Sequence, residues 1–244
     1  MPMKIVQITD LHIGLEGEDT LGIDVKANLE RLLGKVRQLG PDLLVVSGDL
    51  CFRDPHLDIY QWVKPRLDAL GIPYELISGN HDDPVQLARV FEKTAYVHKG
   101  ELFFSLPQGK RDILFLDTTY GKVSLDQLRW LERALRKQPG EVLLFMHHPP
   151  LFGGVPHMDN QYALQNQEAF AKVVHLHPHQ VHIFCGHYHV DKVLHRGNMT
   201  VYITPSSFFQ IDQHQEDFAI DHKRPGLREI IVDDRGFRTS TFYV

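Results

Sequence analysis

Short apolar runs rich in β-branched and aromatic residues recur along the chain, at Lys4 to Thr9, Leu43 to Ser47, Tyr74 to Ser78, Asp112 to Leu116, Val142 to Met146, Val181 to Cys185, Thr200 to Ile203 and Leu227 to Val232. Each reads as a buried strand. Between some of them the apolar period lengthens to that of a helix. Val25, Leu29, Leu32, Leu33, Val36 and Leu39 form one stripe, stopped by Gly40-Pro41, and Leu125, Leu128, Leu131 and Leu135 form another, with Ser124 as N-cap and Pro139-Gly140 as the stop. Strands alternate with helices early in the chain and follow one another directly later, which predicts a layered α/β domain with mixed sheets.

Residues 1–244 read as one domain, in which residues 205–244 form a β-rich C-terminal extension. At 43% hydrophobic content the chain can bury a large core. No apolar stretch is long enough to span a bilayer, and Met1 to Asp10 lacks the regions of a signal peptide, so a cytoplasmic protein without a membrane partner is expected. Cys51 and Cys185 are too few for a disulfide framework and read as small buried thiols. The formal net charge of -5, with no Lys/Arg cluster, argues against a nucleic-acid surface but leaves room for a small anion if metal supplies the positive charge. The 16 histidines, a high number for this length, direct attention to metal ligation.

Five apolar runs end abruptly in polar residues: Thr9-Asp10-Leu11-His12, Ser47-Gly48-Asp49, Ser78-Gly79-Asn80-His81-Asp82, Met146-His147-His148-Pro149-Pro150 and Cys185-Gly186-His187-Tyr188-His189. Loops at the carboxyl ends of strands are where α/β sheets place their sites. In an extended segment, Asp10 with His12 and His187 with His189 would each present two donors to one point. Asp49 could bridge two ions through its two oxygens or serve as an Asx-turn or N-cap residue, and Asn80 could offer an amide oxygen or simply make a turn. The donors are oxygen and imidazole nitrogen with no thiolate, a set suited to Mn, Fe, Zn or Co.

In order and spacing these segments, from Lys4 to His189, resemble the calcineurin-like metallophosphoesterases, and within them the bacterial cyclic-nucleotide phosphodiesterases. The helix Gln127-Leu128-Arg129-Trp130-Leu131 and the tail from Thr204-Pro205-Ser206-Ser207 to Pro225-Gly226 share in the resemblance. It implies a sandwich of two mixed β-sheets flanked by helices, and two metal ions. One would be held by Asp10, His12, Asp49 and His189, the other by Asp49, Asn80, His147 and His187, with His148 stabilising the loop. The implied reaction is attack of a metal-bridging hydroxide on a phosphodiester, with a 3′,5′-cyclic nucleotide such as cyclic AMP as substrate. His81 is the expected proton donor to the leaving oxygen, with Asp82 orienting it or raising its pKa. The resemblance also admits a homodimer, for which the sequence shows no interface signal.

Two divalent ions less two aspartates and one hydroxide leave roughly one positive charge, which suits a singly charged diester. Arg53 is the one cation within the motif loops. A phosphomonoesterase, nucleotidase or broad-specificity phosphodiesterase on the same centre is the alternative. A non-catalytic scaffold is disfavoured because every expected ligand type is present. Residues 151–166 read as a mobile or an ordinary connecting loop; Phe208 and Phe209 read as core aromatics, with stacking on a base or packing between subunits as the alternatives. The cluster His175, His177, His179 and His182 reads as a solvated loop interrupted by Pro178.

Overall fold

In the computed structural model, Phe104, Phe115, Phe145, Phe184 and Tyr202 stand opposite one another on five adjacent strands, in register. Their rings stack across the sheet with centroids 4.4, 5.4, 5.1 and 5.0 Å apart in turn. Each such pair contributes about 0.5–1.5 kcal/mol beyond its burial and resists a slip of register. That register positions the chemistry: His147 follows Phe145 by two residues and His187 follows Phe184 by three, so the two histidines leave neighbouring strands at the same end.

The structure describes residues 2–109, 111–233 and 236–244. Met1 of the N-terminal segment and residues 234 and 235 of the expected C-terminal extension lie outside them. The aromatic ladder belongs to a six-stranded mixed sheet in the order Lys192–Arg196, Met199–Ile203, Val181–Cys185, Val142–Phe145, Arg111–Phe115, Phe104–Gln108. The second sheet has five strands in the order Gly236–Tyr243, Gly226–Asp233, Met3–Ile8, Leu43–Ser47, Tyr74–Ile77, the last three mutually parallel. Helices flank the sheets, and the sandwich of two mixed sheets agrees with the architecture implied by the sequence.

The sheets meet through one apolar core and a small buried polar seam. Gln7 donates to Ser47 Oγ at 2.7 Å and to Cys185 O at 3.3 Å, and accepts from Thr204 Oγ1 at 2.6 Å. Arg228, also buried, donates to Thr204 Oγ1, Ile203 O and Asp191 Oδ1. Since every one of these groups is paired, the seam avoids the penalty of unsatisfied burial and ties the carboxyl ends of both sheets together.

The two helices read from periodicity span Val25–Leu39, capped by Asp24 and ended at Gly40 in the left-handed region, and Leu125–Lys137, capped by Ser124. Among the described residues, four further α-helices were hidden from that reading. Leu57–Asp68 buries Ile59, Tyr60, Val63 and Leu67, but Pro65 in its last turns breaks the helical pattern. Pro84–Val90 and Gln167–Val174 are too short to show a period. Residues 151–166 are more than a loop, because they contain the helix Pro156–Gln161, whose Asp159 accepts from the N–H groups of Gly153 and Val155. The solvated-loop reading of the late histidines also needs correction. His177 is buried and bonds Gly140 O through Nε2, and His182 lies within the Val181–Cys185 strand against the Phe237 ring. Among the described residues no helix is long and apolar enough to cross a membrane.

Candidate metal centre

The loops leaving both sheets at one end are zipped to each other by backbone bonds: Asp10 N–H to Gly48 O, His12 N–H to Asp49 O, Gly186 N–H to His147 O and Ile211 N–H to His189 O. Asp10, His12, Asp49, His187 and His189 all adopt left-handed backbone conformations, with φ between 46° and 67°. Asp10-x-His12 and His187-x-His189 are therefore not extended pincers. Each pair reaches its partner through a strained turn, at a cost of order 1–3 kcal/mol per residue that the surrounding bonds must offset. Such strain concentrates where side chains are aimed for function.

Close approach accounts for three glycines. A Cβ at Gly48 would lie 2.5 Å from His147 Nδ1; one at Gly79 would overlap the Asp49 carboxylate, and one at Gly186 would overlap Thr9 Oγ1 and meet Asp10 Oδ2 at 2.5 Å. The ligand-type side chains occupy the space these glycines leave.

Among the described residues, four groups of donor atoms form around this cradle: Asp10, His12 and His189; Asp10, Asp49 and His147; His12, Asp49 and His81; and His147, His148 and His187, each with atoms within 4.8 Å of one another. Asp49 stands between them. Its Oδ2 is 3.2 Å from His147 Nε2, 3.7 Å from His12 Nε2 and 4.0 Å from His81 Nε2, and its Oδ1 accepts from His81 N–H at 2.9 Å. The Asx-turn alternative for Asp49 is thus not what its side chain does. Asn80, on the loop that follows Gly79, is exposed.

The imidazole tautomers provide a test of whether cations fit. A carbonyl can only accept, so Nδ1 must carry the proton in His12, facing Phe52 O, in His189, facing Phe209 O, and in His147, facing Ser47 O. That leaves the Nε2 atoms to face the carboxylates. His12 Nε2 and His189 Nε2 point at each other 3.1 Å apart as two acceptors, and His147 Nε2 is buried 3.2 Å from Asp49 Oδ2. His187 is reversed, donating Nε2–H to Tyr162 O at 3.0 Å and keeping the Nδ1 lone pair. Converging imidazole nitrogens beside two carboxylates, each ring oriented by a backbone carbonyl, are the features of a cation site.

Electrostatics agree. Burial lowers His12 to about 3 despite the Asp49 charge beside it, and lowers His187 to about 4, so both are neutral donors at pH 7. Burial also disfavours the His147 cation, but Asp49 and Asp10 outweigh it and raise that group to about 9. A metal ion on Nε2 would take the place of that proton. Burial opposes ionisation of Asp10 and Asp49 as well; the histidines beside them nevertheless hold both carboxyls below the ordinary value, Asp49 well below.

His148 ties loops together: its N–H donates to Thr118 Oγ1 at 3.1 Å and its Nδ1 pairs with the same hydroxyl at 2.9 Å. Asp82 requires a correction, since it does not orient His81. Its buried carboxylate accepts from the N–H groups of Gly79, Leu50 and Cys51 and from Tyr60 OH, while His81 Nδ1–H donates to Arg53 O at 2.6 Å. Burial and the nearby Asp49 charge raise Asp82 to about 6 in spite of those bonds. Asp82 thus links the loop carrying Asp49 to the loop carrying Asn80. Asp82→Asn, which puts an amide NH2 against backbone donors, is expected to lower stability by about 1–3 kcal/mol; urea unfolding would check this, and an unchanged midpoint would show that the bonds are dispensable. Cys51 and Cys185 are free and buried, and burial raises both thiols, so neither serves as a nucleophile near neutral pH.

The donors open into a cavity of about 410 Å³, lined by His12, Asp49, Asn80, His81, His187 and His189 and by Arg53, Phe52, Phe208 and Phe209. Phe208 and Phe209 are buried, as expected of core aromatics, yet their edges also form part of the cavity wall.

Residues 3–191 match the calcineurin-like phosphoesterase family. Over 99% of its length the chain is 36% identical to a probable cyclic nucleotide phosphodiesterase of Fibrobacter succinogenes, covering 94% of that protein. It is 28% identical over 99% of its length to a probable glycerophosphodiester phosphodiesterase of Arcobacter nitrofigilis, covering 93% of it. It is also 29% identical over 98% of its length to the 3′,5′-cyclic adenosine monophosphate phosphodiesterase of Escherichia coli, covering 88% of it.

Proposed function

The chain belongs to the calcineurin-like phosphoesterase family, and from that premise we propose that it hydrolyses a 3′,5′-cyclic nucleotide such as cyclic AMP at a centre of two metal ions. The observation that carries the reading is the convergence of His12 Nε2, His189 Nε2 and His147 Nε2, each on a ring oriented by a backbone carbonyl, beside the carboxylates of Asp10 and Asp49. Asp10, His12, Asp49 and His189 would hold one ion; Asp49, Asn80, His147 and His187 would hold the other. A donor set of nitrogen and oxygen without thiolate suits Mn, Fe, Zn or Co. Two ions so held supply Lewis acidity to the phosphoryl oxygens and an activated water as nucleophile.

The chain's own groups do the rest. His81 is one-third exposed at the cavity, and its Nδ1–H bond to Arg53 O leaves Nε2 as the atom that can carry a proton to the departing ester oxygen. Arg53 lines the cavity beside it and can pair with a non-bridging oxygen of a singly charged diester. The buried Phe208 and Phe209 keep water from one side of the site. Free thiols suit a reducing compartment, which supports a cytoplasmic location.

The test is metal content and hydrolysis on one preparation. Purified protein should carry two metal ions per chain, hydrolyse cyclic AMP faster than adenosine 5′-monophosphate, lose turnover on chelation and regain it with Mn, Fe, Zn or Co. Failure to bind metal and to turn over after reconstitution would overturn the reading, and preference for the monoester would replace it with a phosphomonoesterase.

A further inference from the structure

Two segments that supply no metal ligand complete the mouth of the cavity. Phe218 comes from the connection between the paired strands Gln210–Ile211 and Ile220–His222, and Tyr162 directly follows the helix Pro156–Gln161. Both line the cavity, yet they are 48% and 47% exposed, whereas Phe208 and Phe209 in the same wall are 1% and 6% exposed. Exposed large rings concentrated at the rim of a concave site are unlike aromatics that serve packing alone.

The rings form a continuous series from a metal-ligand candidate to solvent. His189 and Phe209 have centroids 4.8 Å apart, Phe209 and Phe218 5.6 Å, Phe218 and His157 5.7 Å, and His157 and Tyr162 5.5 Å. Phe218 meets Phe209 at an interplanar angle of 75°, a T-shaped contact that is not a face-to-face stack. At the other end, Tyr162 O accepts from His187 Nε2–H, which ties the rim to the metal centre. The rim offers flat apolar surface, one imidazole and the Tyr162 hydroxyl, while the carboxylate and the amide that line this cavity, Asp49 and Asn80, belong to the proposed metal ligands.

We propose that Phe218 and Tyr162 form a stacking platform for the nucleobase, making them the specificity-determining residues for a nucleoside phosphodiester whose phosphate lies at the metal centre. This rests on the phosphodiesterase reading above and deepens it. Stacking recognises a π face and tolerates changes at the base edge. Purines, which offer the larger face, are therefore preferred over pyrimidines, and adenine and guanine are accepted alike. A diester without a ring gains nothing from the platform.

The experiment compares the metal-loaded full chain with Phe218→Ala, Phe218→Leu, Phe218→Trp and Tyr162→Ala. Steady-state kinetics are measured on cyclic AMP, cyclic GMP, cyclic UMP and the ring-free diester glycerophosphoethanolamine. Phe218 is exposed enough that its truncation is expected to spare the fold, which circular dichroism of each variant checks. Loss of stacking worth about 1–3 kcal/mol raises KM for cyclic AMP about 5- to 150-fold in Phe218→Ala, with kcat and the ring-free rate unchanged. Phe218→Trp restores KM, whereas Phe218→Leu, which keeps apolar area without a π face, does not. An unchanged KM for cyclic AMP, or equal losses on cyclic AMP and glycerophosphoethanolamine, overturns the platform. Wild-type turnover of glycerophosphoethanolamine but of no cyclic nucleotide also overturns it while leaving diester hydrolysis standing. No turnover of either class means that the parent reading has failed.

Discussion

Asp49→Asn is expected to reduce kcat by about 10³-fold or more and to lower metal content. The substitution preserves volume and can keep the acceptor that holds His81 N–H, so what it removes is the charge and the basicity of Oδ2, the oxygen facing His147 and His12. If that oxygen serves both ions, its loss weakens both positions together, whereas loss of a ligand to one ion leaves the other held. Transition-state stabilisation by metal is worth several kcal/mol, and at about 1.4 kcal/mol per decade the stated loss follows. Metal analysis with kinetics decides the matter. Full metal content with undiminished kcat would show that Asp49 only organises the loop through His81 N–H.

Asp49 also shows what was legible in the sequence. Each of Asp10, Asp49, Asn80, His147 and His187 follows a short apolar run, and a polar residue at such an end is visible because the hydrophobic pattern stops there. The layered α/β class followed from the same runs; the register of the six-stranded sheet did not, although five of its strands carry the aromatic residue that marks it. The local backbone was not legible. An Asp-x-His pair suggests an extended pincer, whereas Asp10 and His12 both sit at positive φ, a conformation enforced by Gly48 O and Asp49 O from another segment. Asp82 was misread for a related reason: its partners Leu50 and Cys51 are more than thirty positions away in sequence, and proximity to His81 along the chain does not report them.

The cavity rim lay furthest from reach. Phe218 follows a polar stretch and Tyr162 follows a helix of six residues, so neither belongs to a periodic pattern. Their meeting depends on how the two late segments fold over the sandwich. Phe208 and Phe209, by contrast, were rightly read as core, and their second role as cavity wall comes from what packs beside them.

His81→Ala should separate proton donation from metal binding. The residue belongs to neither group of four proposed ligands, and its side chain is joined to the protein by one hydrogen bond, to Arg53 O. Removing it leaves the imidazoles of His12, His147, His187 and His189 with their own orienting carbonyls. Metal content is therefore expected to be retained. Positioned proton transfer contributes about 10²–10⁴-fold, and the full loss should appear on cyclic AMP, whose leaving group is an alkoxide of high basicity. A p-nitrophenyl diester, whose leaving oxygen needs no proton, should be hydrolysed at close to the wild-type rate. A donor that acts only on the leaving group predicts this split. Equal losses on the two esters would instead assign His81 to loop structure through Arg53, and no loss on either would remove it from the mechanism.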